Sequence, residues 1–379
     1  MTMCKLGDIC SWSKGFQVPR DNTSCKKEIP YLHYGDLYKL YDFRLDLNEK
    51  YTEIIKIDVD SKIKSEQYLE DGDIVFTLTS ETVDDLGHCT LIINPDNHPF
   101  VAGMETTVIH IKDKTKVNPA YLNYYFHNPK FIASLQQYVT GMKVYRVHPN
   151  DIMNMNIDLP LKSIQDTIVS ILDSMSDSID CKVQINDNLQ AIAYSKYNHL
   201  KRSCVDYVSL SEIAEVCYGK DHKSLSDGNI PLYGSGGIMR YVERPLYDGK
   251  ESVLIPRKGT LNNVMFVSTP FWSVDTMFYT KMKCQTAGKY LYFYLHDLDL
   301  ASMNSGSAVP SMTTEILNDI QIPFPEKDAL DHFDEELQPL FDLINRNVNQ
   351  INDLSLIRDV LLPKLMSGEI DVSTLEIPN

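Results

Sequence analysis

No stretch of the 379-residue chain approaches the ~20 consecutive apolar residues that a bilayer-spanning helix needs. The opening Met1-Thr2-Met3-Cys4-Lys5-Leu6-Gly7-Asp8 has no charged segment leading into an apolar run, so no secretory signal is expected and the chain reads as cytoplasmic. The eight cysteines (4, 10, 25, 89, 181, 204, 217 and 284) never stand as Cys-x-x-Cys. That spacing excludes a zinc ribbon, a redox dithiol and a dense disulfide framework, and leaves reduced, structural thiols. Positive charge is also scarce: 36 Lys and Arg face 52 Asp and Glu, a formal charge of −16. Residues 326–379 alone carry 4 basic and 12 acidic residues, so half of the excess sits at the end of the chain. Phosphate neutralisation normally supplies much of a DNA-binding protein's affinity. Taken alone, this charge predicts weak affinity for nucleic acid.

Signatures of catalysis are missing as well. Asn128-Pro129-Lys130-Phe131 lacks the second proline of the box that holds an adenine in N6-methyltransferases, and no Gly-rich cofactor loop lies nearby. Helix termination by Asn-Pro accounts for it. Pro95-Asp96 is not followed closely by the Asp/Glu-x-Lys that would hold magnesium in a nuclease. Gly219-Lys220, Gly249-Lys250 and Gly288-Lys289 are each followed by the wrong residue for a phosphate-binding loop, and there is no His-Glu-x-x-His. Gly234-Ser235-Gly236-Gly237 could cradle a phosphate through backbone N–H groups, but reads better as a turn. Neither a catalytic residue nor a metal ligand emerges.

What the sequence does contain is two copies of one pattern. Leu6-Gly7-Asp8-Ile9 is answered by Leu210-Ser211-Glu212-Ile213, and Ile29-Pro30-Tyr31 by Ile230-Pro231-Leu232. Each opening leads to a Lys/Gly pair, Lys14-Gly15 and Gly219-Lys220. Gly72-Asp73-Ile74-Val75-Phe76 matches Glu251-Ser252-Val253-Leu254-Ile255, both β-rich runs entering a polar turn. Two aromatic helices follow, Tyr121–Phe126 and Tyr290–Leu295. Then Gly141, Val144, Ile157 and Pro160 match Gly306, Val309, Ile322 and Pro325 at one constant offset. Such ordered self-similarity predicts two equivalent mixed α/β bodies, residues 1–160 and 206–325, related as an internal pseudo-twofold repeat. The extra residues of the first, near 40–70 and 80–100, are expected to be loops or added strands.

Behind each copy lies a long helical pattern, 161–205 and 326–366, with a tail at 367–379. In the second, Leu330, Phe333, Leu337, Leu340, Ile344, Ile351, Leu354, Leu361 and Leu365 keep heptad spacing, interrupted only by Asn347 and Arg358. The first carries Ile168, Leu172, Met175 and Ile179, then Lys182 and Asn186, then Leu189, Ala193 and Leu200. Neither seam would be stable alone, which predicts an antiparallel coiled coil of helices about 60 Å long at ~1.5 Å per residue. Asn347 is expected to set its register. Leu356 and Ile357, left over from the seam, are free to face a partner helix.

Two residue sets carry a resemblance. Leu362-Pro363-Lys364-Leu365-Met366-Ser367-Gly368-Glu369-Ile370 resembles the close of the second spacer helix in specificity subunits of type I restriction–modification systems. Gly141–Pro160 and Gly306–Pro325 resemble the close of each of their target-recognition domains, and Gly72-Asp73-Ile74-Val75 the strand opening the central loop. The resemblance implies an α+β fold with two target-recognition domains separated by two long helices, each domain reading half of a split site in double-stranded DNA. It also implies partners: two methyltransferase subunits that use S-adenosylmethionine to methylate adenine N6, and two restriction/translocase subunits that use ATP and Mg. This chain itself would bind no cofactor. The first copy departs from the family in lacking a basic residue after Val75-Phe76-Thr77-Leu78-Thr79-Ser80, whereas the second has Arg257-Lys258 there.

Base edges are read by polar and basic side chains, and phosphate contacts fix the register. The candidates in the first copy are Lys14, Gln17, Arg20, Asn22, Lys26, Lys27, Thr79, Lys143, Tyr145 and Arg146. In the second they are Lys220, His222, Lys223, Tyr233, Ser235, Arg257, Lys258, Asn262, Asn263, Ser305 and Ser307. Arg146 and Arg257 are the foremost candidates for bidentate guanine contacts. A competing reading makes the chain a coiled-coil scaffold with two protein-binding domains; the acidic charge favours it and the ordered repeat opposes it.

Overall fold

The computed structural model describes residues 2–18, 23–24, 27–39, 43–58, 63–303 and 311–375. The chain divides into two compact units, Met1–Asp180 with Asn352–Asn379, and Cys181–Ile351.

In the first unit, alternating apolar runs build a five-stranded sheet. Its spatial order is Cys10–Lys14, Thr106–Ile111, Ile74–Thr77, Cys89–Ile93, Arg44–Asp46. Only the last strand joins in parallel. A smaller sheet contains Ile29–Leu32 and Val101–Ala102 as a parallel pair. Thr2–Lys5 pairs with Asn156–Leu159, so the two ends of the domain are tied together. The aromatic helix Pro119–His127 presents Phe126 edge-on to Phe76 at 4.7 Å, covering the large sheet.

The second unit repeats this plan with fewer strands. Ala214–Tyr218, Met277–Met282, Ser252–Pro256 and Met265–Val267 form the main sheet. Asp227–Gly234 pairs in parallel with Trp272–Ser273, Asp206–Ser209 closes against Gln321–Phe324, and Gly288–Asp297 is the aromatic helix. Ladder register confirms the repeat: Val75 faces Val108 where Leu254 faces Tyr279. One detail of the sequence alignment shifts. Gly15 and Gly219 are equivalent, so Lys14 answers Tyr218 and Phe16 answers Lys220. A Cβ would lie 1.8 Å from the Gly103 carbonyl at the first glycine and 2.0 Å from the Val274 carbonyl at the second. Only glycine permits that backbone approach. The extra residues of the first copy supply the Arg44–Asp46 edge strand and the helix Leu47–Lys50.

The long segments are helices Lys162–Ser203, of 42 residues, and Lys327–Met366, of 40. The second continues through Pro339 and Pro363, although each proline removes one backbone donor. Within the second unit the helices run antiparallel, with Lys182 donating to Gln350 at 2.6 Å, Asn347 to Asn186 at 2.8 Å and Lys196 to Glu336 at 2.9 Å. Asn347, expected as a polar seam position, is thus buried against a second polar position. Of the other predicted seam residues, Ile168, Leu172 and Leu337 are buried, while Met175, Ile179, Leu340, Ile344 and Ile351 are half-buried. Gln165, Ser176, Tyr197 and Phe341, absent from the predicted seam, are buried. The reason is that the helix ends do not pack on each other alone. Ala193, Tyr197, Leu330, Phe333, Leu337 and Phe341 share one core with Val253, Phe278 and Tyr290. Ile168, Val169, Leu172, Leu362 and Leu365 share another with Tyr121 and Tyr124.

Arg358, the other interruption, lies 3.9 Å over the Phe43 ring, which is itself stacked on His127. Docking of helix to domain is repeated too: Asn118 donates to Asp166 at 2.7 Å where Thr286 donates to Asp331 at 2.7 Å. In the second unit, Lys289 is fully buried between Glu251 and Asp334, each at 2.6 Å.

Candidate nucleic-acid interface

Lys14, Thr79, Arg257 and Lys258 lie at or just past the ends of main-sheet strands, whereas Lys27, Tyr233 and Ser235 lie by the smaller sheets. In the first unit, Lys14 closes the strand Cys10–Lys14 and is exposed, as is Gln17 beyond it, and the Lys14 and Gly15 carbonyls accept from Gln67. Gln17 also lines a cavity of about 260 Å³ with Tyr31, His33, Tyr34 and Met104. Thr79–Ser80 and Tyr145–Arg146 form a short antiparallel ribbon in which Thr79 faces Arg146 and Ser80 faces Tyr145. Gly141, at φ 110°, starts the turn that leads back to this ribbon, and Lys143 lies exposed in it. Lys27 is instead committed to Asp58 at 2.8 Å. Arg20, Asn22 and Lys26 lie outside the described residues.

In the second unit, Lys220, Lys223 and Lys258 are exposed, while His222, Tyr233, Ser235 and Arg257 are half-buried. Arg257 lies 5.4 Å over the Tyr218 ring and donates to the Asp275 carbonyl at 3.3 Å. Asn263 donates to the Ser235 carbonyl at 2.8 Å, joining the loop after Arg257 to the tight turn between Gly234 and Gly237. Asn262 is held by Asp299 and by the Ala301 amide, so its amide group is occupied within the protein. Ser305 and Ser307 lie outside the described residues.

Two other constellations bear on chemistry. Ser13 Oγ is 2.8 Å from His110 Nε2, and His110 Nδ1 is 3.0 Å from Asp73 Oδ1. Despite the familiar residue types, Ser13 is buried on a strand and Asp73 also accepts from the Glu70 amide, so the relay ties strand ends together. Burial alone would pull the imidazole down, but the Asp73 hydrogen bond and charge, with Glu70, hold it above its ordinary range. Among the described residues no group of three His, Cys, Asp or Glu side chains is placed to hold a metal ion. The cysteines among them form no disulfide, and burial pushes Cys10 up to about 12.

The family described as type I restriction modification DNA specificity domain matches residues 1–191 and again 203–353. This chain belongs to that family. A putative type I restriction enzyme specificity subunit from Haemophilus influenzae is 28% identical over 134 residues, 33% of this chain and 34% of that protein. The type I restriction enzyme MjaIX specificity subunit from Methanocaldococcus jannaschii is 39% identical over 70 residues, 18% of this chain and 16% of its own. These alignments thus span about a third and about a sixth of the relatives' lengths. The fold is similar to the crystal structure of a type I restriction-modification S subunit from M. genitalium. The TM-score is 0.58 at 15% identity, covering 96% of this chain and 95% of that one.

On both copies of the specificity domain, the structure adds surface residues that sequence reasoning missed. Tyr218 is exposed beside Arg257. Arg240 holds the His222 and Leu225 carbonyls and Asp227, fixing the loop that carries Lys220 and Lys223. Met142 is 87% exposed next to Lys143. The available signal was faint: an aromatic before Gly219, and a lone Arg in an alternating strand.

Proposed function

We propose that this chain is the DNA-reading subunit of a type I restriction–modification complex, with each specificity domain recognising one half of a bipartite duplex site. The observation that carries the reading is that both copies place basic and polar side chains near corresponding strand ends. These are Lys14, Gln17, Thr79, Lys143 and Arg146 in one, and Lys220, Lys223, Arg257, Lys258 and Ser311 in the other. The helices Lys162–Ser203 and Lys327–Met366 act as the spacer, and their length sets the unread gap. Chemistry belongs to partners: two methyltransferase subunits using S-adenosylmethionine on adenine N6, and two restriction/translocase subunits using ATP and Mg. The chain itself binds no cofactor. Its charge of −16 fits that division, because phosphate neutralisation then comes largely from the methyltransferases. Leu356, Ile357 and Val360, exposed on the second long helix, offer them an apolar docking face.

Exchanging residues 1–160 for the corresponding domain of a relative tests the assignment. Methylated adenines, mapped genome-wide, are expected to change in one half of the site and keep the other. A change in both halves contradicts the two-reader arrangement.

A further inference from the structure

The two copies differ at the position where the sequence resemblance is weakest, after the central strand. There the first copy has Leu78-Thr79 and the second Arg257-Lys258. The structure supplies the register that a linear comparison cannot. The Val147 amide donates to the Leu78 carbonyl at 3.0 Å, and the Met312 amide donates to the Arg257 carbonyl at 3.0 Å. The neighbouring residues then face each other across the strands, Thr79 with Arg146 and Lys258 with Ser311. Each copy therefore places one cation and one hydroxyl on the same cross-strand pair, but from opposite strands. Arg146 and Lys258 are exposed, and neither is in an ion pair among the described residues. In the first copy the pair belongs to a two-stranded ribbon, a shape that the major groove of B-DNA admits.

We propose that this cross-strand pair is a specificity-determining position in both domains. A single cation there contacts a guanine edge in its own half-site, and either strand can supply it. The proposal rests on the DNA-reading function above. Opposed Cβ atoms in a ladder are only about 5 Å apart. A long Arg or Lys side chain spans such a shift, so the charge reaches the same base from either side. The missing basic residue after Ile74–Thr77 is then not a lost contact, because Arg146 returns it from the facing strand.

The test uses the full chain produced with its methyltransferase subunit, reading methylated adenines genome-wide. Four variants are compared with the parent: Arg146→Thr, Thr79→Arg with Arg146→Thr, Lys258→Ser, and Lys258→Ser with Ser311→Lys. Each single loss is expected to relax one base position in one half-site, lowering the preference for the right base roughly ten- to hundredfold. Each paired variant is expected to restore that same position. Thermal melting of each purified chain checks folding, and the two pairs test the idea independently. Single variants that relax a position which the paired variants leave relaxed overturn the interchange. Uniform loss across all sites overturns base contact in favour of phosphate contact. A parent methylome without a two-part motif refutes the reader assignment itself, before any variant is made.

Discussion

Lys289 offers the sharpest energetic test of how the second long helix is fixed to its domain. Its side chain is fully buried, and its ammonium donates to Glu251 and Asp334, each at 2.6 Å. Those carboxylates are themselves only 12% and 19% exposed, and Oε2 of Glu251 has no hydrogen-bond partner among the described residues. Burial already pushes Glu251 above the usual carboxylate range, with Lys289 the group that opposes the rise. Lys289→Met keeps the unbranched stem and removes only the terminal ammonium, so little cavity forms. What is lost is the counter-charge of two poorly solvated acids, which costs about 3–5 kcal/mol. Urea unfolding of the full chain in a Trp12→Phe background reports this transition, because Trp272, the second of two tryptophans, lies in the same unit. Lowering the pH should narrow the gap to the parent, since protonated carboxyls no longer need the ammonium. Adding Glu251→Gln and Asp334→Asn to Lys289→Met should recover most of the loss. A Lys289→Met unfolding free energy within ~1 kcal/mol of the parent, independent of pH, refutes the argument.

Asn347→Leu leaves Asn186 buried without its 2.8 Å partner and should destabilise the helix pair by about 1–3 kcal/mol, whereas Leu at both positions should match or exceed parental stability; denaturation midpoints decide. Gly219→Ala forces a Cβ to within 2.0 Å of the Val274 carbonyl, so that strand end must open, and amide exchange at Lys220 should speed up while Lys112 is unaffected. His110, raised by Asp73, contributes stability that is complete below its ordinary value of 6.5 and is lost as pH climbs through the higher folded value. The stability difference between the parent and His110→Gln should therefore shrink with rising pH above 6.5, and a difference that grows instead contradicts the assignment. Arg257→Ala should weaken specific binding by about 1–3 kcal/mol and spare unrelated duplexes, as titration against both kinds of DNA reports.

The internal repeat was legible because its landmarks answer backbone and core demands that admit few residues. Gly15 and Gly219 sit where a side chain would strike a carbonyl, and Tyr121 and Tyr290 fill equivalent core positions. The long helices were legible from apolar spacing, yet the seam was read too simply. Tyr197 and Phe341 are buried because the helix ends also complete a domain core, which a two-helix pattern does not encode. Loop polarity was the weakest guide. Asn262 and Asn263 look like base-reading residues in sequence, but their amides hold loops together, while exposed Tyr218 reads like an ordinary strand residue. Lys289 stands in an aromatic helix with partners 38 and 45 residues away, beyond any local pattern. Arg146 and Lys258 occupy one structural position from different strands, so alignment of the two copies conceals their equivalence.

The measurement nearest to the central claim is selection of bound duplexes from a random-sequence library by the full chain complexed with its methyltransferase. Two short defined blocks separated by a gap of fixed length and free sequence are predicted. One uninterrupted block, or no enriched sequence at all, contradicts the account.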